Sequence, residues 1–351
     1  MKALVLYEKK DGATELREVP KPSVGPDDVL IRVKAAAVCG ADIEFYRAKM
    51  TGSLRPPVIL GHEFCGVVEE AGRNVKKWKP GDRVVSENTG HVCGECYACL
   101  TGQYLLCPER KGTGYSMDGG FAEFVKIPGE VLQRMSSALY RLPDTISFEE
   151  GSIMEPSCNA YRAVIQEGEL ALGEFIAVFG PGPIGLFAVA LAKLAGASHI
   201  FLFGTAGDET RLTFGKEIGA DIVARVDERS ASEVISQFLG TDGVDIVIDA
   251  AGPGVVMENA MTIIRPLGRI VKVGWGKPYP QLFDPLMVKG ATITGHFGYD
   301  YVSWRNIIHL VQAGRLHYGS FISKTYSLDQ WEEAFVAVEE KKVIKVVFNQ
   351  F

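Results

Sequence analysis

Residues 175–185 read Phe175-Ile176-Ala177-Val178-Phe179-Gly180-Pro181-Gly182-Pro183-Ile184-Gly185. Five consecutive apolar residues suit a strand covered on both faces, and residues 184–194 continue with helical periodicity. The loop between them fits G-x-G-x-x-G. That spacing alone is a weak signal, because Gly and Pro also make ordinary turns; its place between a strand and a helix gives it weight. Gly180 allows a tight turn, Gly182 lets backbone approach a pyrophosphate, and Gly185 lets helix and strand pack closely. Pro183 and Ile184 open a helix whose unpaired N–H groups face the phosphates. The stretch therefore predicts a dinucleotide-binding βαβ unit.

Working outward, apolar strands recur at residues 200–203, 222–223, 244–248 and 269–273, with a helix at about 212–218. Such a series predicts a doubly wound parallel sheet. Ala250 and Gly274, each just past one of these strands, join the expected cofactor contacts. The second strand ends Phe203-Gly204-Thr205-Ala206-Gly207-Asp208, with no carboxylate at its tip to hold a ribose 2′-hydroxyl. Gly204 and Thr205 leave room there, and Arg211 lies one helical turn beyond Asp208, within reach of a 2′-phosphate. The balance tips slightly toward NADP over NAD, with Asp208 as the competing acid or a helix cap.

Upstream, the first 150 residues carry short β-type runs broken by Gly and Pro, at residues 29–33, 66–69 and 82–85. They predict a β-rich, barrel-like domain. After Gly290 another strand and a mixed tail lead to Val346-Val347-Phe348, and the tail is expected to return to the first domain. The predicted division is 1–152 with 291–351 as one domain and 153–290 as the dinucleotide domain.

At 351 residues, 47% hydrophobic and 23% charged, the chain is long enough for two cores. A formal net charge of -6 argues against a nucleic-acid partner, and the longest apolar tract, residues 184–197, is broken by Lys193 and too short for a bilayer. The start, Met1-Lys2-Ala3-Leu4-Val5-Leu6-Tyr7-Glu8, reads as a strand rather than a leader, so a cytoplasmic location is expected.

Four of the seven cysteines, Cys93, Cys96, Cys99 and Cys107, give C-x2-C-x2-C-x7-C. Four thiolates so spaced can close a tetrahedral zinc site that holds a loop and leaves no place for substrate. Iron–sulfur spacings fit less well.

Elsewhere lie Cys39, the pair His62-Glu63 and Glu155-Pro156. Each has a dull explanation alone: a buried thiol, a satisfied histidine, a helix-starting acid. Yet 61–75 matches GHE-x2-G-x5-G-x2-V through Gly61, His62, Glu63, Gly66, Gly72 and Val75. With Cys39-Gly40-Ala41-Asp42, the four-cysteine lobe, Glu155-Pro156 and the glycine loop in that order, the chain resembles the zinc-containing medium-chain alcohol dehydrogenases, in their sorbitol (polyol) dehydrogenase branch, over nearly its whole length.

The resemblance implies a β-rich GroES-like catalytic domain completed by the C-terminal tail, with a Rossmann domain inserted. It implies that Cys39, His62 and Glu155 bind a catalytic zinc, with Glu63 binding directly or standing one water behind, and with Asp42 orienting the histidine. It implies a second zinc in the cysteine lobe, a homodimer or homotetramer, a small-molecule secondary alcohol as substrate, and Asn159 against the nicotinamide ribose. Phe45, Phe297 and Tyr299 match pocket-lining positions. Three departures bear on chemistry: Ala41 replaces a proton-passing Ser or Thr, Glu44 replaces an outer relay His, and Gly298 replaces the branch's Arg. The proton is then expected to leave through Glu63 or Glu44. Threonine or amino-alcohol dehydrogenation is the competing activity. A non-catalytic nucleotide sensor and a zinc-free reductase are other classes, disfavoured by the full ligand set.

Overall fold

The strand Phe175–Phe179 sits inside a six-stranded parallel sheet. In space the strands run Ile222–Arg225, His199–Gly204, Phe175–Phe179, Val244–Asp249, Ile264–Lys272 and Thr292–Gly295. Numbered along the chain this is 3-2-1-4-5-6, whose order reverses between the first and fourth strands. The computed structural model describes residues 1–135, 137–240, 243–276 and 283–351. It comprises two units, Met1–Glu155 with Asp300–Phe351, and Pro156–Tyr299.

In the second unit, Ile176, Ala177, Val178 and Phe179 are all buried, as a strand covered on both faces requires. The helix Pro183–Ala195 starts with Gly182 as its cap and Pro183 as its first residue, where a missing N–H costs nothing. Gly180 has φ +93°, and a side chain at Gly185 would lie 2.0 Å from the Gly180 carbonyl oxygen. The turn and the close helix–strand approach thus both demand glycine. The periodicity reading leaves out the helix Ala231–Leu239, although Ser230 and Glu233 form the capping box that marks its start.

In the first unit the strand Val29–Ala37 is central. Its two outward residues, Arg32 and Lys34, alternate with buried Ile31, Val33 and Ala35. It pairs antiparallel with Glu63–Ala71, with Phe124–Ile127 and with the C-terminal strand Lys345–Gln350. Glu63 and Val347 both fall opposite Ala37. This register brings the residue two beyond Ala37, which is Cys39, to the same end of the sheet as Glu63 and Lys345. The core beneath packs Phe64, Phe121, Phe335 and Phe348, with Phe121 edge-on to Phe348 at 5.1 Å. Among the described residues, no helix is long and apolar enough to cross a membrane.

Candidate active site and metal centres

Cys39 caps the short helix Gly40–Tyr46, and Asp42 turns back to accept a hydrogen bond from the Cys39 N–H at 2.9 Å. The other oxygen of Asp42 stands 3.2 Å from His62 Nδ1. With Nδ1 against a fully buried carboxylate, His62 has Nε2 to offer as a ligand. Glu63 follows on its strand. Donor atoms of Cys39, His62 and Glu63 all lie within 4.8 Å of one another. Asp42 thus stands between the Cys39 backbone and the histidine ring.

Glu155 lies in the first turn of the helix Met154–Tyr161 and accepts a hydrogen bond from Asn88 Nδ2 at 3.2 Å. It is not one of the three residues grouped within 4.8 Å. Its charge nonetheless reaches the same place, because it helps raise the Lys345 ammonium. Lys345 is the residue that motif reading missed. It is 1% exposed, donates to Glu63 Oε2 at 2.5 Å and to the Val38 carbonyl at 2.9 Å. Burial alone would lower it, and Glu63 and Cys39 outweigh that and raise it. No short-range motif could have announced a partner 282 residues away.

These donors fit a divalent cation on two observations. Glu63 Oε1 is buried without a hydrogen-bond partner. Glu63, Glu155 and the Cys39 thiol also all act on the one Lys345 ammonium, while Asp42 is taken up by His62, and a dication would supply further positive charge. Burial pushes the Cys39 thiol up, against the opposing pull of His62 and Lys345. For His62 burial acts downward, but Asp42 and Cys39 overcome it and hold the imidazole well above its usual range.

The four lobe cysteines also converge, all within 4.8 Å. Cys93 Sγ lies 3.7 Å from Cys107 Sγ and 3.9 Å from Cys99 Sγ. The edge of a tetrahedron with zinc–sulfur bonds of about 2.3 Å is about 3.8 Å, whereas a disulfide is about 2.05 Å. All seven cysteines are free thiols. Backbone donors from Glu95 and Cys96 hold Cys93 down to about 7, and burial pushes Cys99 up to about 12. Cys65 and Cys158 are buried.

Glu87, just past the strand Arg83–Ser86, is buried, which pushes its carboxyl up to about 8, with Thr89 and Arg110 pulling the other way. Its ordinary value is 4.5. Between these two values the folded chain keeps a proton that the unfolded chain has lost. Stability is therefore full below the lower value and falls as pH rises, by up to about 1.4 kcal/mol per pH unit. Glu87→Gln should flatten the decline in melting temperature from about pH 5 to 8. Parallel pH–melting curves for parent and variant would count against this assignment.

Of the remaining expected residues, the Glu44 side chain is 41% exposed and lies 3.6 Å from Lys49 Nζ. Phe45 is buried in the core against Tyr115, at 5.3 Å between ring centres. In the other unit, Tyr299 is buried and accepts from Arg162 through its carbonyl, while Phe297 is 36% exposed and meets Trp275 edge-on. Asn159 Oδ1 lies 3.4 Å from His296 Nε2, and His296 Nδ1 lies 2.7 Å from Glu167. His296 and Glu167 carried no motif.

At the carboxyl end of the parallel sheet, a side chain at Gly182 would meet nothing within 4 Å, so the loop has open space above it. The Ala250 N–H donates to Phe179, and the Gly274 N–H to the carbonyl of Asp249. Lys272 Nζ ties Asp249, Gly252 and Gly274 together at 2.6–2.8 Å. Asp208 is turned inward, accepting from the Thr205 N–H and hydroxyl at 3.0 and 3.1 Å, so it closes its own loop. Arg211 is 9% exposed, and burial lowers it. Arg225, opposite Gly204 in register, is a second cation at this tip, ringed by Glu209, Asp227 and Glu228.

A loop shaped for a pyrophosphate and a sulfur–imidazole–carboxylate group define a metal- and dinucleotide-dependent oxidoreductase. Comparison with known proteins agrees. Residues 25–137 match the alcohol dehydrogenase GroES-like domain and residues 183–313 the zinc-binding dehydrogenase family. The uncharacterized zinc-type alcohol dehydrogenase-like protein YdjL of Escherichia coli (strain K12) is 38% identical over 99% of both chains. The D-arabitol-phosphate dehydrogenase of Enterococcus avium is 36% identical over 93% of this chain and 91% of its own. A sorbitol dehydrogenase of Halalkalibacterium halodurans and an L-threonine 3-dehydrogenase of Bacillus velezensis are 31% and 34% identical over 99% of this chain, and over 99% and 98% of their own. Among solved structures, a zinc-binding dehydrogenase from Sinorhizobium meliloti 1021 bound to NADP superposes with a TM-score of 0.88 at 29% identity, over 99% of this chain and 98% of that one. The chain belongs to the zinc-type medium-chain alcohol dehydrogenase family. Its fold is a GroES-like domain with a Rossmann domain, and it is a zinc-dependent, NAD(P)-linked alcohol dehydrogenase.

Proposed function

We propose that this enzyme oxidises a secondary alcohol of a polyol or sugar derivative to the ketone, with Cys39, His62 and Glu155 as ligands of a catalytic zinc. The observation that carries the reading is the convergence of Cys39, His62 and Glu63 around an unpartnered buried carboxylate oxygen. When bound, zinc supplies Lewis-acid polarisation of the substrate oxygen and the nicotinamide takes the hydride. The chain's own residues do the rest. Asp42 fixes the imidazole ring, Lys345 donates to one oxygen of Glu63, and Glu63 receives the alcohol proton at its other, unpartnered oxygen. Glu44, partly exposed beside Lys49, is the alternative acceptor that would release the proton to solvent.

A glutamate rather than a cysteine at position 155 follows the polyol pattern, and two relatives carry polyol or polyol-phosphate names. Amino-alcohol oxidation is the second reading, favoured by the L-threonine 3-dehydrogenase relatives. The four cysteines are proposed to hold a second, structural zinc. The inward turn of Asp208 supports NADP use, with Arg225 and Arg211 as cations at the tip; the three acids around Arg225 keep that preference modest.

A homodimer in the cytoplasm is proposed as the working form. Thr292–Gly295 is an edge strand, and Leu267, Trp275, Phe283, Met287 and Val288 in the same unit are each more than 70% exposed. An open edge beside apolar side chains invites its own copy.

One preparation tests these points together. Metal analysis should give two zinc per chain, sedimentation a dimer, and cofactor reduction at 340 nm across polyols, sugar acids and amino alcohols should be fastest with a polyol. NADP should serve better than NAD by less than about tenfold, a gap of under ~1.4 kcal/mol. Turnover of threonine alone would replace the polyol reading with the second one.

A further inference from the structure

Asn88 and Arg110 belong to neither group of metal donors, yet they connect them. Arg110 lies three residues past Cys107, and its N–H donates to the Cys107 carbonyl at 3.1 Å. Its guanidinium donates from Nε to the Thr89 carbonyl at 3.2 Å and from Nη2 to the Asn88 carbonyl at 3.4 Å and Asn88 Oδ1 at 3.2 Å. Asn88, only 6% exposed, then donates from Nδ2 to Glu155 Oε1 at 3.2 Å. The direction of this chain is fixed by chemistry. A guanidinium has donors only and an ionised carboxylate acceptors only, so the amide between them has one workable orientation. Arg110 adds to the pull of the Glu155 carboxylate, because the flipped amide would set NH2 against the guanidinium as well as oxygen against the carboxylate.

We infer that Asn88 is a positioning residue for Glu155, and that Arg110 sets the Asn88 amide, so that the four-cysteine lobe and the catalytic metal site are coupled through three side chains. The inference rests on the reading of Glu155 as a zinc ligand. A hydrogen bond to one oxygen narrows the range of positions the carboxylate takes before metal arrives. Outer partners of this kind change metal affinity by about 10- to 100-fold when removed.

The test follows zinc release from the zinc-loaded full chain into the chromophoric chelator 4-(2-pyridylazo)resorcinol, with the lobe zinc as the slow internal control. Asn88→Ala should speed release of the faster zinc by about 10- to 100-fold and leave the slow one unchanged. Arg110→Met, which keeps bulk over the Tyr115 ring but has no donors, should speed it less. The double variant should be no worse than Asn88→Ala alone, because both act on one bond. Release from Asn88→Ala at the parent rate, while Glu155→Ala loses its zinc, overturns the inference and leaves the function standing. If Glu155→Ala itself retains that zinc, the ligand assignment fails first. Additive effects in the double variant overturn the relay through Arg110. Should Asn88→Ala not fold, Arg110→Met on the partly exposed side decides alone, and release at the parent rate overturns the coupling.

Discussion

Cys39→Ala is expected to carry one zinc per chain instead of two and to lose at least about 10³ in kcat/KM. Polarisation of the reacting oxygen by a metal is worth several kcal/mol, and each ~1.4 kcal/mol is tenfold in rate. Cys39 sits at the sheet end with His62 and Glu63, and its loss removes the sulfur donor of that group. Binding of NAD(P)H, followed by nicotinamide fluorescence, should hold, because the glycine loop belongs to the other unit. A variant that keeps both metals and full turnover would take Cys39 out of the site.

Lys345→Met should cost about 3–5 kcal/mol of stability, the usual penalty when one partner of a buried ion pair is removed. Glu63 is 1% exposed, and its Oε2 has the Lys345 ammonium as its partner at 2.5 Å. Adding Glu63→Gln to the same chain should restore most of the loss, since no orphaned charge then remains. Urea midpoints for the two single variants and the double variant measure this. If the double variant is as unstable as Lys345→Met, packing rather than charge explains the effect.

Much of the fold could be read before any coordinates. The five-residue strand running into Gly180, and the apolar strands that follow it, announce the parallel sheet because covered strands need no alternation. The lobe is equally plain, since all four cysteines lie within fifteen residues and local spacing nearly fixes their geometry. Cys39, His62 and Glu63 needed the family likeness, because strand register and not sequence distance brings them together. Lys345, Asn88, Arg110 and the His296–Glu167 pair were not legible. A lysine in a strand looks like surface, and only the pairing of Lys345–Gln350 with Val29–Ala37 reveals its burial. The inward bonds of Asp208 to Thr205 were equally hidden, because spacing alone does not say which way a loop carboxylate turns.

The late position of Lys345 also bears on how the protein is made. A ribosome completes residues 1–155, with Cys39, Glu63 and Glu155 among them, long before it reaches the strand Lys345–Gln350. Until then Glu63 has no ammonium to meet, and the Ala36–Ala37 end of the central strand lacks one of its partners. The earlier-made unit must therefore wait for a strand made much later, and a translation product that stops short of Lys345 would emerge with an uncompensated acid at its heart.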